Sequence, residues 1–178
     1  ENEVQIMSLM KRLFCIILSI CLLLMSGCSK SGSITDDISM AIGIDLSDAE
    51  YATSIDTHGG FHGDGSTIVS MPVSSESVLE QIQNNPQWHS LPFTENLTAV
   101  VYGITDENSS IGPYITVDDT RSPAVPEITN GYYFFLDRHS QSTDPHDDTN
   151  VLSRASFNLS IAIYDCDTEI LYYLELDT

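Results

Sequence analysis

Alternation of apolar and polar residues near the end of the chain constrains its fold more strongly than any other feature. Between residues 156 and 164, every second residue is large and apolar, namely Phe157, Leu159, Ile161 and Ile163. This two-residue repeat is typical of a strand with one buried face. The polar segment 165–168 separates it from a second apolar run at 170–176. The pattern predicts a C-terminal β-hairpin.

Shorter runs upstream predict the rest of a sheet. We expect further strands at 38–44, 67–71, 97–102, 114–117 and 132–136, where aliphatic, β-branched and aromatic residues concentrate. A helix is expected after Ser74 or Ser75, ending at 84–86, and a second, shorter helix at 46–52. The predicted fold class is therefore α+β, with a largely antiparallel β-sheet and one or two packed helices.

A different pattern occupies the beginning of the chain. Lys11 and Arg12 precede an apolar run of 13 residues at 13–25, and the small residues Ser26 and Gly27 follow it. This order of charge, apolar stretch and small residues is that of an export signal. The run is shorter than the roughly 20 residues that a membrane-spanning helix needs.

The residues Met25-Ser26-Gly27-Cys28 resemble the lipobox of bacterial lipoproteins, in which Leu is more usual than Met at the first position. The resemblance implies that a lipid is attached to the thiol of Cys28 and that the chain is cut before this residue. The protein would then be held at the cell membrane, facing outside the cytoplasm.

These features divide the chain into four parts. We expect residues 1–9 to lie upstream of the true start, at Met7 or Met10, and residues 10–27 to form the signal peptide. Residues 28–37 are small and polar, as in a flexible tether. Residues 38–178 are enough for a single α+β domain with a core of its own.

The exported part would carry a large negative charge. The chain has 6 basic and 26 acidic residues, two of each precede Cys28, and residues 28–178 therefore keep 4 and 24, a net charge of −20. Such a charge opposes binding to nucleic acid, whose phosphates require Lys and Arg, and to anionic lipid surfaces. Polycations, metal ions or a basic partner protein are the ligands compatible with this charge.

A glycine-rich loop carries the sharpest candidate site. Asp56, His58, His62 and Asp64 lie within nine residues, and imidazoles and carboxylates are ligands that Zn²⁺ accepts. The glycines between them let the backbone bring these side chains together. The alternative interpretation is a structural loop in which the Asp and His side chains bond to nearby backbone amides.

Acidic loops offer candidate Ca²⁺ sites. The segment 106–110 begins like an EF-hand loop, but Ile111 and Val117 stand at the sixth and twelfth positions, where Gly and Glu are required. Weaker sites at 118–119 or 144–148 are further candidates. Solvated acidic loops are the commoner interpretation of such segments.

Asp137, Arg138 and His139 follow the aromatic strand predicted at 132–136 and are candidate binding residues at a sheet end. The alternative is an arginine–carboxylate pair beside a surface histidine. Alternation sends the aromatic residues of this strand, and those at 172–173, to both faces of the sheet. We expect these aromatic residues to belong either to the core or to an exposed platform that binds a ligand.

The segments 56–65 and 130–139, together with 162–165 and 171–177, resemble small lipoproteins of unassigned activity from Gram-positive, clostridia-like bacteria. The resemblance implies a location at the cell membrane, and it implies no activity, cofactor or catalytic residue. Our leading hypothesis is a non-enzymatic binding or interaction module. A metal-dependent hydrolase centred on the loop 56–64 is the first alternative. An immunity-type protein that masks a basic toxin is the second.

Overall fold

The computed structural model describes residues 33–50, 53–59, 63–74, 76–117 and 120–178. The predicted export signal and Cys28 lie outside these residues, as does the tether up to residue 32. Within the described ranges, no helix has the length and apolar character that crossing a membrane requires.

Strands supply most of the regular structure. Their bounds are β1 (Thr53–Asp56), β2 (Gly65–Pro72), β3 (Trp88–Ser90), β4 (Ile104–Thr105), β5 (Ser110–Ile111), β6 (Gly131–Asp137), β7 (Asn158–Asp165) and β8 (Ile170–Asp177). Six of them form an antiparallel sheet in the order β1-β2-β8-β7-β6-β3, and β4 pairs with β5 in a separate ribbon. The predicted C-terminal hairpin is confirmed as β7 and β8, which pair from Asn158 opposite Asp177 to Asp165 opposite Ile170.

Helices cover both faces of the sheet. They are α1 (Ile34–Ile42), α2 (Glu76–Asn84) and α3 (Glu95–Val101), with a short 3-10 turn at Val151–Ser153. Residues of α1 and α2 belong to one apolar cluster, and residues of α3 belong to a second apolar cluster. We therefore name the two sides of the sheet the α1/α2 face and the α3 face. The predicted α+β class is confirmed, with three α-helices in the described residues.

Alternation along the strands sorts side chains between the two faces. On β7, Leu159 and Ile161 join the cluster of the α3 face, whereas Ala162 and Tyr164 join that of the α1/α2 face. Apolar cover on both sides explains why seven of the eight β7 residues are buried. The aromatic strand belongs to the core, because Tyr133, Phe134 and Phe135 are buried.

Helix α1 overturns the strand predicted at 38–44 and the tether predicted to reach residue 37. Ile38 and Ile42, one helical turn apart, are buried, whereas Met40 between them is 76% exposed. In a strand these three residues would share a face. The alternating isoleucines fit the period of a strand as well as that of a helix. In the structure they are buried along one side of a helix.

The ends of α1 show why it is a helix. The Ser33 side chain caps its first turn, and the Asp36 side chain accepts a hydrogen bond from the Ser33 backbone N–H at 3.2 Å, which is a capping box. Gly43 ends the helix with a positive φ of 67°. The indole N–H of Trp88 then donates to the Ile42 carbonyl at 3.1 Å, which fastens the end of α1 to β3.

Helix α3 replaces the strand predicted at 97–102. Thr94 caps it by accepting a hydrogen bond from the Leu97 backbone N–H at 3.2 Å. Leu97, Val100 and Val101 lie at helical spacing and are buried. The cap and this burial outweigh the β propensity of the two valines, because propensity is only a weak bias.

Two short predictions are also wrong. The segment 46–50 holds a turn at Ser47–Asp48 instead of a helix, and 51–52 lie outside the described residues. The strand predicted at 114–117 is reduced to one isolated bridge between Thr116 and Pro123. The strands predicted at 67–71 and 132–136 are confirmed as β2 and β6, and the helix after Ser74 or Ser75 is confirmed as α2.

Candidate functional site

A cleft of about 320 Å³ opens between α1 and the strands β1, β2 and β8, on the α1/α2 face. Its helical wall consists of Ile34, Asp37, Ile38 and Ala41. These residues recur every three or four positions and so share one side of α1. Its strand wall consists of three alternating pairs, Ser54 with Asp56, Thr67 with Val69, and Tyr173 with Glu175. Periodicity within each element thus builds the cleft.

The cleft combines apolar surface with separate carboxylates. Asp37, Asp56 and Glu175 come from three different elements, and the lining residues that the structure describes include no Lys or Arg. The carboxylates do not gather at one point, since the described residues contain no group of three or more His, Cys, Asp or Glu side chains that could hold a metal ion. An aliphatic stem with a cationic head fits such a lining, because the stem packs on apolar surface while the head meets a carboxylate.

His58 joins two strands at one end of this cleft. Its Nδ1 lies 2.7 Å from Oδ1 of Asp56, the last residue of β1, and its Nε2 lies 3.2 Å from Oδ2 of Asp177, the last residue of β8. The backbone N–H of His58 also donates to Asp56 Oδ1 at 2.9 Å. The imidazole is therefore held between two carboxylates.

Arg138 continues this network across the sheet. Its Nη2 lies 3.1 Å from Asp177 Oδ1 and 3.6 Å from Glu175 Oε1. The Tyr173 hydroxyl donates to Glu175 Oε1 at 2.8 Å. One guanidinium therefore serves two carboxylates, and Asp37 has no side-chain partner among the described residues. The site is negative in either protonation state of His58.

The network also shifts the proton affinities of its members. The hydrogen bond to the Asp56 carboxylate, opposed by burial and aided by Asp177, raises the pKa of His58. The backbone N–H of His58 and then its imidazole lower the pKa of Asp56. Burial raises the pKa of Tyr173, so its hydroxyl keeps its proton and acts as a donor to Glu175.

Gly65 lets the His58 loop lie against β2. A Cβ atom at this position would stand 2.5 Å from His58 Cα and 2.6 Å from His58 N, which no real side chain tolerates. The neighbouring backbone is fixed by Thr57, whose N–H donates to the Ser66 carbonyl at 2.9 Å. Glycine is therefore required here for close approach of two backbones.

Of the four predicted metal ligands, the structure brings Asp56 and His58 together. Asp64 is exposed, and His62 lies outside the described residues. Both ring nitrogens of His58 already face carboxylates, and Asp56 bonds the His58 backbone amide, as the structural-loop interpretation expects. The metal site stays a prediction.

The three candidate binding residues at the end of β6 do not converge. The Asp137 carboxylate lies 2.8 Å from Arg154 Nη2 in a buried pair, and alternation along β6 places it on the α3 face. Arg138 reaches the cleft network on the opposite face. His139 Nε2 lies 3.1 Å from the Ser156 hydroxyl. Only Arg138 of the three therefore belongs to the candidate site.

The candidate calcium segments hold carboxylates that cap turns. Asp106 Oδ1 accepts the backbone N–H groups of Asn108 and Ser109, both at 2.7 Å. Asp144 and Asp147 accept backbone N–H groups two residues ahead in the same way. These are turns stabilised by their own aspartates. Residues 118–119 lie outside the described part of the chain.

Reasoning from the sequence missed Asp37, Glu175 and Asp177, and named Tyr173 only as core or as part of an exposed aromatic platform. Asp37 was assigned to the tether, although the Ser33 capping pattern was available as a signal. Alternation in the predicted hairpin already placed Tyr173 and Glu175 on one face, and Asp177 follows directly after the predicted strand. Their partner could not be found from spacing, because His58 and Asp177 are 119 residues apart.

Comparison of the chain with protein-family models, with curated proteins and with solved structures gives no match.

Proposed function

We propose that the protein is an exported, lipid-anchored binding module that captures a positively charged organic ligand outside the cytoplasm. The observation that carries the proposal is the cleft beneath α1, where the carboxylates of Asp37, Asp56 and Glu175 stand beside apolar side chains. An ammonium or guanidinium group on an aliphatic stem is the complementary ligand. The net charge of −20 would concentrate such ligands around the protein.

The cleft is tested by calorimetric titration of the full chain in a nonionic detergent. The probes are the N-acetyl methylamides of lysine and arginine, with that of glutamate as the negative control. We expect both cationic probes to bind and the acidic probe not to bind. The proposal would be overturned if neither cationic probe bound.

Variants locate the binding. Asp37→Asn and Glu175→Gln each remove one lining charge and should weaken both cationic probes about tenfold, because a hydrogen bond to a charged group contributes about 1.5–3 kcal/mol. Asp48→Asn and Glu107→Gln are matched controls, since they remove the same charges from exposed positions outside the lining. Equal weakening in the controls would show a general charge effect and no cleft.

The proposed anchor depends on Cys28 and has its own test. Cells fed an alkyne-bearing fatty acid should label the wild-type protein, and Cys28→Ala should remove the label and release the protein from the membrane fraction. Labelling that persists in Cys28→Ala would contradict lipid attachment at this residue.

The hydrolase alternative is supported by the proximity of Asp56 and His58 and is tested by metal content. The binding-module proposal expects full chain purified without chelator to contain no stoichiometric metal. It also expects melting temperatures that EDTA, Zn²⁺ and Ca²⁺ leave within about 1 °C, because both nitrogens of His58 already face carboxylates. One equivalent of metal that is lost in His58→Ala and His62→Ala would favour the metal site instead.

An immunity-type protein that masks a basic toxin shares the charge argument and differs in the size of its partner. A masking contact would spread well beyond a cleft of about 320 Å³. Binding of a basic protein that survives both Asp37→Asn and Glu175→Gln would support that role over ligand capture.

A further inference from the structure

Strand β1 is an edge of the six-stranded sheet, and among the described residues it pairs with β2 alone. The Thr57 N–H donates to the Ser66 carbonyl, so Thr57 occupies a hydrogen-bonded position of this antiparallel ladder. Hydrogen-bonded positions alternate along such a ladder, which makes Ile55 the next one. The backbone N–H and C=O groups of Ser54 and Asp56 therefore project from the open edge.

The same two residues line the carboxylate cleft with their side chains. Backbone groups able to pair with another strand thus lie directly beside a pocket for cationic side chains. Strand addition works through this combination, because the backbone bonds supply affinity and every second side chain of the added strand enters a pocket.

We propose that β1 binds an extended basic segment of another protein as an added strand, with lysine or arginine side chains entering the cleft. The inference rests on the proposed function and specifies its ligand as a peptide. Basic residues two positions apart would lie about 7 Å apart on one side of the added strand. The carboxylates of Asp37, Asp56 and Glu175 are spread over separate elements that can meet them.

The residue between the two cations would lie on the opposite face of the sheet. There it would meet Ile55, which is 39% exposed and points away from the cleft. Side chains that neighbour each other on adjacent strands stabilise the sheet when both are apolar. The expected ligand therefore alternates basic and apolar residues.

A second copy of this chain is the other possible occupant of the edge, and charge opposes it. Each chain has a net charge of −20, and pairing through β1 would bring two Asp56 edges together. Charged residues on an edge strand are a common protection against such self-pairing. The charge of the site complements a basic strand instead.

The test compares three heptapeptides against the full chain in nonionic detergent. The first alternates lysine with valine. The second has the same composition with its lysines grouped together. The third is the alternating peptide with N-methyl groups on the amides that would face β1. We expect the alternating peptide to bind at least tenfold more tightly than the other two and to slow hydrogen exchange at the Ser54 and Asp56 amides.

A protein variant provides the reciprocal test. Ser54→Pro removes a backbone donor that faces outward, a change that an edge strand tolerates. It should erase the advantage of the alternating peptide over the peptide with grouped lysines, because only the alternating peptide is expected to pair with β1. A melting temperature close to that of the wild type would show that the variant is folded, and the N-methylated peptide tests the same bond on the unaltered protein.

The outcomes separate the two proposals. Equal affinity for all three peptides would overturn strand addition and leave the cation cleft standing. No binding of any peptide or of the lysine probe would overturn both. Protection of the Ser54 and Asp56 amides without peptide, together with a mass that doubles with concentration, would place a second copy on the edge and overturn the inference.

Discussion

The two faces of the sheet are formed by the same strands, but one face is a continuous apolar core and the other contains a cleft. On the α3 face, β8 contributes Leu174 and Leu176 to a continuous apolar cluster. On the α1/α2 face, the same strand contributes Tyr173 and Glu175 to a cleft. Because successive residues of a strand point to opposite sides, one strand serves stability on one face and binding on the other. Substitutions on the two faces should therefore have separable effects.

The largest loss of stability is expected for Asp137→Ala on the α3 face. The side chains of Arg154 and Asp137 are only 11% and 5% exposed, so the variant leaves a buried guanidinium without its carboxylate. Breaking a buried ion pair from one side costs on the order of 3–5 kcal/mol. Urea unfolding of the full chain measures the loss. The double variant Asp137→Leu with Arg154→Met should recover part of it, and a loss below about 1 kcal/mol in Asp137→Ala would contradict the prediction.

A pair of neighbours on β8 tests the separation of the faces directly. Leu174 is fully buried, and Leu174→Ala should cost about 2–5 kcal/mol while the folded protein binds the lysine probe normally. Tyr173→Phe should cost about 1 kcal/mol and weaken the probe, since Glu175 loses its hydroxyl donor. Unfolding and titration of both variants give the comparison. Weaker binding in both would mean that the faces are coupled.

Gly65→Ala tests the hydrogen-bond network of His58, which adjoins the cleft at Asp56. The added methyl group collides with the His58 backbone, and overpacking of this kind costs about 1–3 kcal/mol. His58 would move away from Asp177, and its pKa, followed by NMR, would fall toward the usual value. Gly59→Ala is the matched control, because the one described atom that a Cβ there approaches within 4 Å is the Thr57 carbonyl oxygen at 3.9 Å. An unchanged His58 pKa in Gly65→Ala would refute the role assigned to this glycine.

The smallest effect concerns pH. The pKa of His58 is raised above the ordinary value of 6.5, so its contribution to stability is complete below about pH 6.5 and is lost as the pH rises through the raised value. Solvent screens this pair, whose carboxylate is 62% exposed. The stability difference between the wild type and His58→Gln should shrink across this window in urea titrations. A stability difference that grows with pH would reverse the assignment.

The C-terminal part of the sheet was predictable because its alternation of apolar and polar residues is long and unambiguous. The β7–β8 alternation covers two eight-residue strands, and no helical period fits it. Helices α1 and α3 were missed because short apolar runs with β-branched residues fit both periods. In each case a polar residue before the run, Ser33 or Thr94, carried the deciding information.

The candidate site was predictable only in fragments. The loop that holds Asp56 and His58 stood out through its composition, and Arg138 stood out at the end of an aromatic strand. Their assembly depends on β8 lying beside β2 and on α1 lying above them, which are relations between distant segments. The local sequence pattern predicts which face of the sheet a residue occupies. It does not predict which residue lies beside it on the adjacent strand.

The chain contains a single tryptophan, and its place has a practical consequence. Trp88 is 6% exposed, its ring centroid lies 5.9 Å from that of Phe134, and its indole holds the last carbonyl of α1. The indole is therefore a fluorophore at the far end of the helix that walls the cleft, distinct from the 8 tyrosines of the chain. If α1 lifts from the sheet, water will reach the indole and its emission will shift to longer wavelength, while the circular dichroism of the strands persists. Movement of the cleft wall can therefore be followed optically, without any added label.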